Sequence, residues 1–281
     1  MLPTLAAQID ELRRLLEFGR TTAADGETAF EQIVCATMRR STATTDGIAR
    51  LLQADLGSQA AMLCRSLSED VVVLHWLVLH EDDPAWLVDR FFDHEAALAA
   101  SRHRRGGEHA WPGPEAGRPP SELAELVDRI RKPSREGGYG ERATTDWWAF
   151  DAHGAALDYV DVVKRLNLAE RYANRFRDAN PDLLAHHRIA ERWANMHLHH
   201  TSSGLNPVPR GEGLPGPESY PPEYVSHHAA QLAYWAYVCQ VALTIEFRSL
   251  PLIAEYEQLL QDARRAFKGS WSRLQAEAES Q

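Results

Sequence analysis

The segment His186–Gly204 holds the residues whose types and spacing best suit catalysis. At about 100° per residue, one face of a helix over this segment carries four polar side chains: Arg188, Arg192, Asn195 and His199. Arg192 and His199 are about 20° apart in projection and about two turns apart in height. His197 lies about 140° from Arg192, so these two converge only where the helix ends or bends.

A guanidinium near an imidazole suits phosphate chemistry. Arg192 could hold two non-bridging phosphate oxygens and stabilise the charge of a pentacovalent transition state. His199 or His197 could take the proton from a ribose 2′-hydroxyl, or return one to the leaving 5′-oxygen. Because one histidine cannot do both in a single step, a second is needed, from His200 or a dimer mate. A structural role also fits, since a histidine near a helix C-terminus is stabilised by the helix dipole.

The spacing Arg192-x4-His197, or Arg192-x6-His199, resembles the R-x4–6-H motif of the higher-eukaryote-and-prokaryote nucleotide-binding (HEPN) superfamily. Those proteins are all-helical bundles, often dimers, and many are metal-independent ribonucleases of toxin–antitoxin and phage-defence systems. The resemblance implies RNA or a nucleotide as ligand, and an antitoxin or a homodimer mate as protein partner. It implies Arg192, His199 and His197 as catalytic residues.

Residues 55–205, approximately, are also similar to a bacterial all-helical family of unknown function. The similarity rests on an Arg-x-x-x-Glu helix at Arg65 and Glu69, and on a polar-x-x-x-His step from Asn195 to His199 before a small-residue loop. Arg65 and Glu69 are spaced i, i+4, so they share a helix face and can pair. Glu69 could orient Arg192 or a catalytic histidine. The pair could equally be a structural ion pair that ties helices together.

The sequence lacks the motifs of several other enzyme classes. It contains no GxxxxGK[ST] phosphate loop, no GxGxxG that follows a predicted strand, no GxSxG nucleophile elbow and no HExxH zinc motif. No glutamate precedes a histidine by three residues, as a carboxylate-bridged metal pair in a helical bundle requires. Cys35, Cys64 and Cys239 form no CxxC, and we expect the first two to be small buried apolar residues. We therefore expect neither a metal nor a cofactor.

Helical periodicity dominates the chain. It predicts an all-α bundle of about nine or ten helices with two long Pro/Gly-rich loops, at about residues 107–120 and 202–222. We expect one domain over residues 1–281, with a core of about residues 55–250 and helical appendages at both ends. Ser41–Thr45 is a predicted break after the second helix, and Ala229–Phe247 a predicted buried central helix.

Composition narrows the functional classes. The 281 residues are 44% hydrophobic and 25% charged, as in soluble globular proteins. A formal net charge of −10 argues against coating of nucleic acid but permits one local basic site. With no signal peptide and no predicted membrane span, we expect a cytoplasmic protein. The competing interpretation is a non-catalytic helical interaction module that uses its loops as a binding surface.

Overall fold

A computed structural model of the chain describes residues 4–22, 25–94, 125, 147–149, 157–168, 222–248 and 258. All regular secondary structure in these ranges is helical, which confirms the all-α class. The helices are α1 (Leu5–Thr22), α2 (Ala29–Gln53), α3 (Gly57–Leu79), α4 (residues 85–94), α5 (Tyr159–Leu168) and α6 (Pro222–Phe247). The further helices expected from the sequence, the first Pro/Gly-rich loop and residues 202–221 of the second lie outside the described residues.

The start of α2 is encoded by a capping box. Thr28 is the N-cap residue, and its Oγ1 accepts a hydrogen bond from the backbone N–H of Glu31 at 3.1 Å. In return, the Glu31 carboxylate accepts one from the backbone N–H of Thr28 at 3.1 Å. This reciprocal pair satisfies two donors that a helix otherwise leaves unpaired at its first turn.

The predicted break at Ser41–Thr45 is wrong, because α2 continues through it to Gln53. The hydroxyl groups of Ser41 and Thr42 lie 3.1 and 2.8 Å from the carbonyl oxygens of Thr37 and Met38, one turn earlier. Both side chains are buried. Tertiary packing therefore overrides the weak helix propensity of serine and threonine, which bond back to their own helix instead of breaking it.

A Schellman motif ends α2 in the turn that leads to α3. Asp55 has a left-handed φ of 59°. The backbone N–H groups of Leu56 and Asp55 donate to the carbonyls of Leu51 (2.9 Å) and Leu52 (3.2 Å). Aspartate thus occupies the position that glycine usually takes. Three residues, 54–56, therefore separate α2 from α3.

The core is formed by α1, α2, α3 and α6, which pack against one another, with α5 on α3. All four contribute large, fully buried side chains: Leu12, Leu15, Met38, Ile48, Leu67, Trp76 and Tyr237. The core therefore begins well before residue 55, where the sequence placed its start, because α6 and α3 cover the apolar faces of α1 and α2. The central position predicted for Ala229–Phe247 is confirmed in α6. No helix in the described part of the chain is long and apolar enough to span a membrane.

One close contact joins three of these helices. Gly19 of α1 lies against the ring of Tyr237 from α6, so closely that a Cβ at Gly19 would overlap the phenol. The Tyr237 hydroxyl lies 2.8 Å from Thr42 Oγ1 of α2, and both groups are buried. Burial raises the pKa of Tyr237 to about 12, so its hydroxyl remains a proton donor or acceptor at all physiological pH values.

Candidate functional site

Two of the predicted site residues, Arg65 and Glu69, lie on the described helix α3. Arg65 Nε donates to Glu69 Oε1 at 3.3 Å, so the predicted i, i+4 pair is formed. The two side chains are 33% and 45% exposed. At such exposure a helical ion pair contributes about 0.3–0.5 kcal/mol to stability. Both charged groups are within reach of a ligand from solvent.

A second guanidinium reaches the same part of α3 from α2. Arg40 donates from a terminal nitrogen to Ser66 Oγ at 3.1 Å, and its Nε lies 3.4 Å from Asp70 Oδ1. Ser66 directly follows Arg65, so the two guanidinium groups are held at adjacent positions of the helix. The Arg40 side chain is 63% exposed, whereas that of Asp70 is only 4% exposed. Arg40 therefore links a buried carboxyl group to the surface.

The Asp70 carboxyl group beside Arg40 has a raised pKa. Burial raises its pKa to about 6, against the opposing effects of the Arg40 charge and the Ser41 hydrogen bond. The Ser41 hydroxyl has one proton but two oxygens within reach, Asp70 Oδ2 at 3.3 Å and Thr37 O at 3.1 Å. A protonated Asp70 resolves this competition, since it can donate to Ser41 Oγ while Ser41 donates to Thr37. The geometry thus agrees with the raised pKa.

The cluster of Arg40, Arg65, Glu69 and Asp70 can attract an oxyanion only when its arginine charges outnumber its carboxylate charges. Arginine is the residue best suited to grip a phosphate through two parallel hydrogen bonds. Here, however, each of the two guanidinium groups has a carboxylate beside it. The four charges cancel while Asp70 is ionised, and leave one net positive charge, two cations against Glu69, once Asp70 is protonated below about pH 6.

Residues 31–208 match the family described as "Family of unknown function (DUF5677)". This match spans more than half of the 281-residue chain. The chain belongs to the DUF5677 family. The predicted similarity to a family of unknown function is confirmed at that level. Neither the curated proteins nor the solved structures contain a match to the chain.

The DUF5677 match includes all the predicted site residues, but the structure describes only two of them, Arg65 and Glu69. The match covers the cluster of Arg40, Arg65, Glu69 and Asp70, and also the segment His186–Gly204. The predicted residues of that segment all lie outside the described residues: Arg188, Arg192, Asn195, His197, His199 and His200. Whether Arg192 and a histidine approach Glu69 therefore stays a prediction.

Two histidines in the described part of this DUF5677 protein, His75 and His227, make contacts that hold the helices in place. His75 is buried, and its Nδ1 lies 2.6 Å from Val71 O. Burial lowers the pKa of His75 to about 4, so it is neutral at physiological pH. His75 therefore lacks the acid–base character that catalysis needs. His227 has its Nδ1 2.8 Å from Gln8 Oε1, and this contact links α6 to α1.

The cysteines are apolar core residues, as expected for Cys35 and Cys64. All three are buried and form no disulfide. Burial raises the pKa of the Cys64 thiol to about 12, so it is not a nucleophile. Within the described ranges, no group of three or more histidine, cysteine or acidic side chains is placed to bind a metal ion.

Sequence reasoning missed Arg40, Ser66 and Asp70. The available signal was Asp70 itself, an acid immediately before the apolar run Val71–Val73, where burial of a charge requires a partner. The sequence does not show which residue is that partner, because Arg40 is thirty residues away on another helix. Only the packing of α2 against α3 brings the two together.

Proposed function

We propose that this protein is HEPN-like and cleaves RNA without a metal ion. The same site would bind RNA or a nucleotide through its phosphate. The observation that carries the proposal is the R-x4–6-H spacing at Arg192, within a chain whose described part has only helices as regular secondary structure. The Arg65–Glu69 pair supports it, since Glu69 is a partly exposed carboxylate on α3 that a neighbouring guanidinium already orients.

Each residue has a stated role in this proposal. Arg192 holds the non-bridging oxygens of the scissile phosphate and stabilises the added charge of the transition state. His199 or His197 transfers the proton of the 2′-hydroxyl, and His200 or a histidine of a dimer mate protonates the leaving 5′-oxygen. Arg188 and Asn195 extend the polar face towards the substrate. Glu69 is a positioning residue that orients Arg192 or the catalytic histidine.

The deciding experiment is cleavage of total RNA in the presence of EDTA. We expect the wild-type chain to cleave RNA and to leave 2′,3′-cyclic phosphate ends. Either His199→Ala or His197→Ala should abolish cleavage. His187→Ala is a matched control, because it removes a histidine from the same segment that lies outside the R-x4–6-H spacing. Cleavage that survives in both His199→Ala and His197→Ala, or its absence in the wild type, contradicts the proposal.

The supporting role of Glu69 has its own test. Glu69→Gln should lower the cleavage rate about 10–100-fold, as expected for a group that orients a catalytic residue. It should leave the stability nearly unchanged because the ion pair is half exposed. Glu11→Gln is the matched control, since Glu11 also forms an exposed helical ion pair, with Arg14 at 3.3 Å. Equal rates in the two variants would remove Glu69 from the mechanism.

A further inference from the structure

A groove opens where the first turn of α2, the beginning of α4 and the end of α6 meet. Its volume is about 620 Å³, within the roughly 300–1,000 Å³ of typical ligand-binding clefts. None of the residues of the α3 cluster lines it. It is therefore a surface separate from the cluster of Arg40, Arg65, Glu69 and Asp70.

The floor of the groove is apolar. Phe30 and Phe247 pack edge to face with their ring centroids 5.9 Å apart, and Pro84 and Val88 adjoin them. Aromatic rings at such a position can cover the aliphatic part of a ligand and also attract a cation through their π faces. The floor thus favours a ligand with an apolar portion.

The rim of the groove is acidic. Glu31, Glu81 and Asp89 line it, and the lining residues that the structure describes include no arginine, lysine or histidine. Arg248 follows Phe247 in the chain, but its guanidinium donates to the carbonyls of Thr22 and Asp25 at 2.9 and 3.5 Å.

The local charge remains negative after the helix dipoles are included. The N-termini of α2 and α4 both face the groove, and each contributes about half a positive charge. One oxygen of Glu31 is also occupied by the backbone N–H groups of Glu27 and Thr28. Three carboxylates against two helix ends and the adjacent Arg248 guanidinium leave about one net negative charge. Such a surface repels phosphate groups and attracts cations.

We infer that this groove binds a basic segment of a protein partner, with an arginine or lysine head against the carboxylate rim and its aliphatic stem on the phenylalanine floor. Long basic side chains combine these two properties, since they lay their methylene groups on apolar surfaces and keep the charge at a polar edge. The two-part character of the groove, apolar below and acidic above, matches such a segment better than a small hydrophilic amine. This inference is independent of RNA cleavage.

Fluorescence anisotropy with the full-length chain tests the inference. The probe is a fluorescein-labelled heptapeptide, GRLGRLG, compared with its analogue in which neutral citrulline replaces both arginines. We expect the arginine peptide to bind and the citrulline peptide to bind at least about tenfold more weakly. The double variant Glu81→Gln/Asp89→Asn should weaken binding of the arginine peptide about tenfold. Val88→Arg should abolish it by filling the groove with a cation.

The matched control removes two charges elsewhere. Asp10→Asn/Glu223→Gln changes two exposed acids that do not line the groove, and it should bind the arginine peptide within about twofold of the wild type. Circular dichroism should show the same helicity in all variants. Equal weakening in the two double variants, or undiminished binding in Val88→Arg, would overturn the inference in favour of the overall charge of the chain.

Two other occupants give distinct results. Spermidine that binds as tightly as the peptide, and competes with it, would assign the groove to small polyamines. A concentration-dependent dimer in sedimentation, lost in Val88→Arg, would assign it to a second copy of the chain. Either result would overturn the assignment to a basic partner segment.

Discussion

Replacement of Asp70 by asparagine should remove a pH dependence from the stability of the fold. In the folded protein, burial raises the pKa of Asp70 to about 6 from an ordinary value of 3.8. The folded chain therefore holds this proton more tightly than the unfolded chain does. The stabilisation from the protonated carboxyl is complete below pH 3.8 and is lost as the pH rises through about 6. Asparagine has the shape of the protonated acid but does not titrate.

The size of the effect follows from the two pKa values. One pKa unit corresponds to about 1.36 kcal/mol, so the free energy of unfolding falls by about 3 kcal/mol over the whole titration of Asp70. About 1.4 kcal/mol of this loss falls between pH 5 and pH 7.5. The conversion applies because the side chain is almost fully buried and thus poorly screened by solvent.

Urea unfolding, followed by circular dichroism at 222 nm, measures the difference. The quantity of interest is the unfolding free energy of Asp70→Asn minus that of the wild type at each pH from 5 to 7.5. Contributions from all other titrating groups cancel in this difference, which should rise by about 1.4 kcal/mol with pH. A difference that stays constant from pH 5 to 7.5 would mean that the pKa of Asp70 in the folded chain is not raised, and would show that the Arg40 charge offsets the effect of burial.

Arg40→Gln extends this test. The Arg40 charge lowers the pKa of Asp70, so its removal should move the titration of Asp70 above pH 6. Arg39→Gln is the matched control, because it removes the same charge one residue away, from a guanidinium paired 3.0 Å from the exposed Asp25. The pH profile of Arg39→Gln should coincide with that of the wild type. Coincident profiles for Arg40→Gln as well would exclude Arg40 as the counter-charge.

Two backbone predictions test the helix contacts by the same unfolding measurement. Gly19→Ala should lower the unfolding free energy by about 1–3 kcal/mol, because the added methyl overlaps the phenol of Tyr237. Gly47→Ala should instead raise it by about 0.5–1 kcal/mol, since its Cβ would meet only Leu63 Cδ1 at an ordinary 3.5 Å; equal effects in the two helices would contradict the packing. Asp55→Val should lower the unfolding free energy by about 1–2 kcal/mol, because a β-branched side chain is strained at the left-handed φ of this position. Asp55→Gly should not lower it by more than about 0.5 kcal/mol, because glycine adopts this φ without strain. Equal stabilities for the two Asp55 variants would refute the left-handed turn.

The features that the sequence predicted correctly are those that depend on near neighbours in the chain. The Arg65–Glu69 pair requires only that α3 be helical, because spacing i, i+4 then brings the groups together. The buried central position of Ala229–Phe247 follows from its nearly continuous apolar character. Both predictions rest on helix periodicity, which is the most direct information a single sequence carries.

The features it did not predict depend on packing between helices. Ser41–Thr45 looks like a break because serine and threonine are weak helix formers, yet burial against neighbouring helices keeps the stretch helical. The start of the core was placed too late because the coverage of α1 by α6 joins elements far apart in sequence. Arg40 was not recognised as a partner of Asp70 for the same reason.

The charge balance of α3 limits where an RNA phosphate can bind in the proposed function. While Asp70 is ionised, the two arginines of the cluster are neutralised by Asp70 and Glu69, so the cluster as a whole offers a phosphate no net attraction. In the proposed function the positive charge for the scissile phosphate then comes from the predicted segment His186–Gly204, in which Arg192 carries the R-x4–6-H spacing. Arg192→Gln should therefore reduce RNA binding more than Arg65→Gln does. The opposite order would move the phosphate site to α3 and leave Arg192 without the role proposed for it.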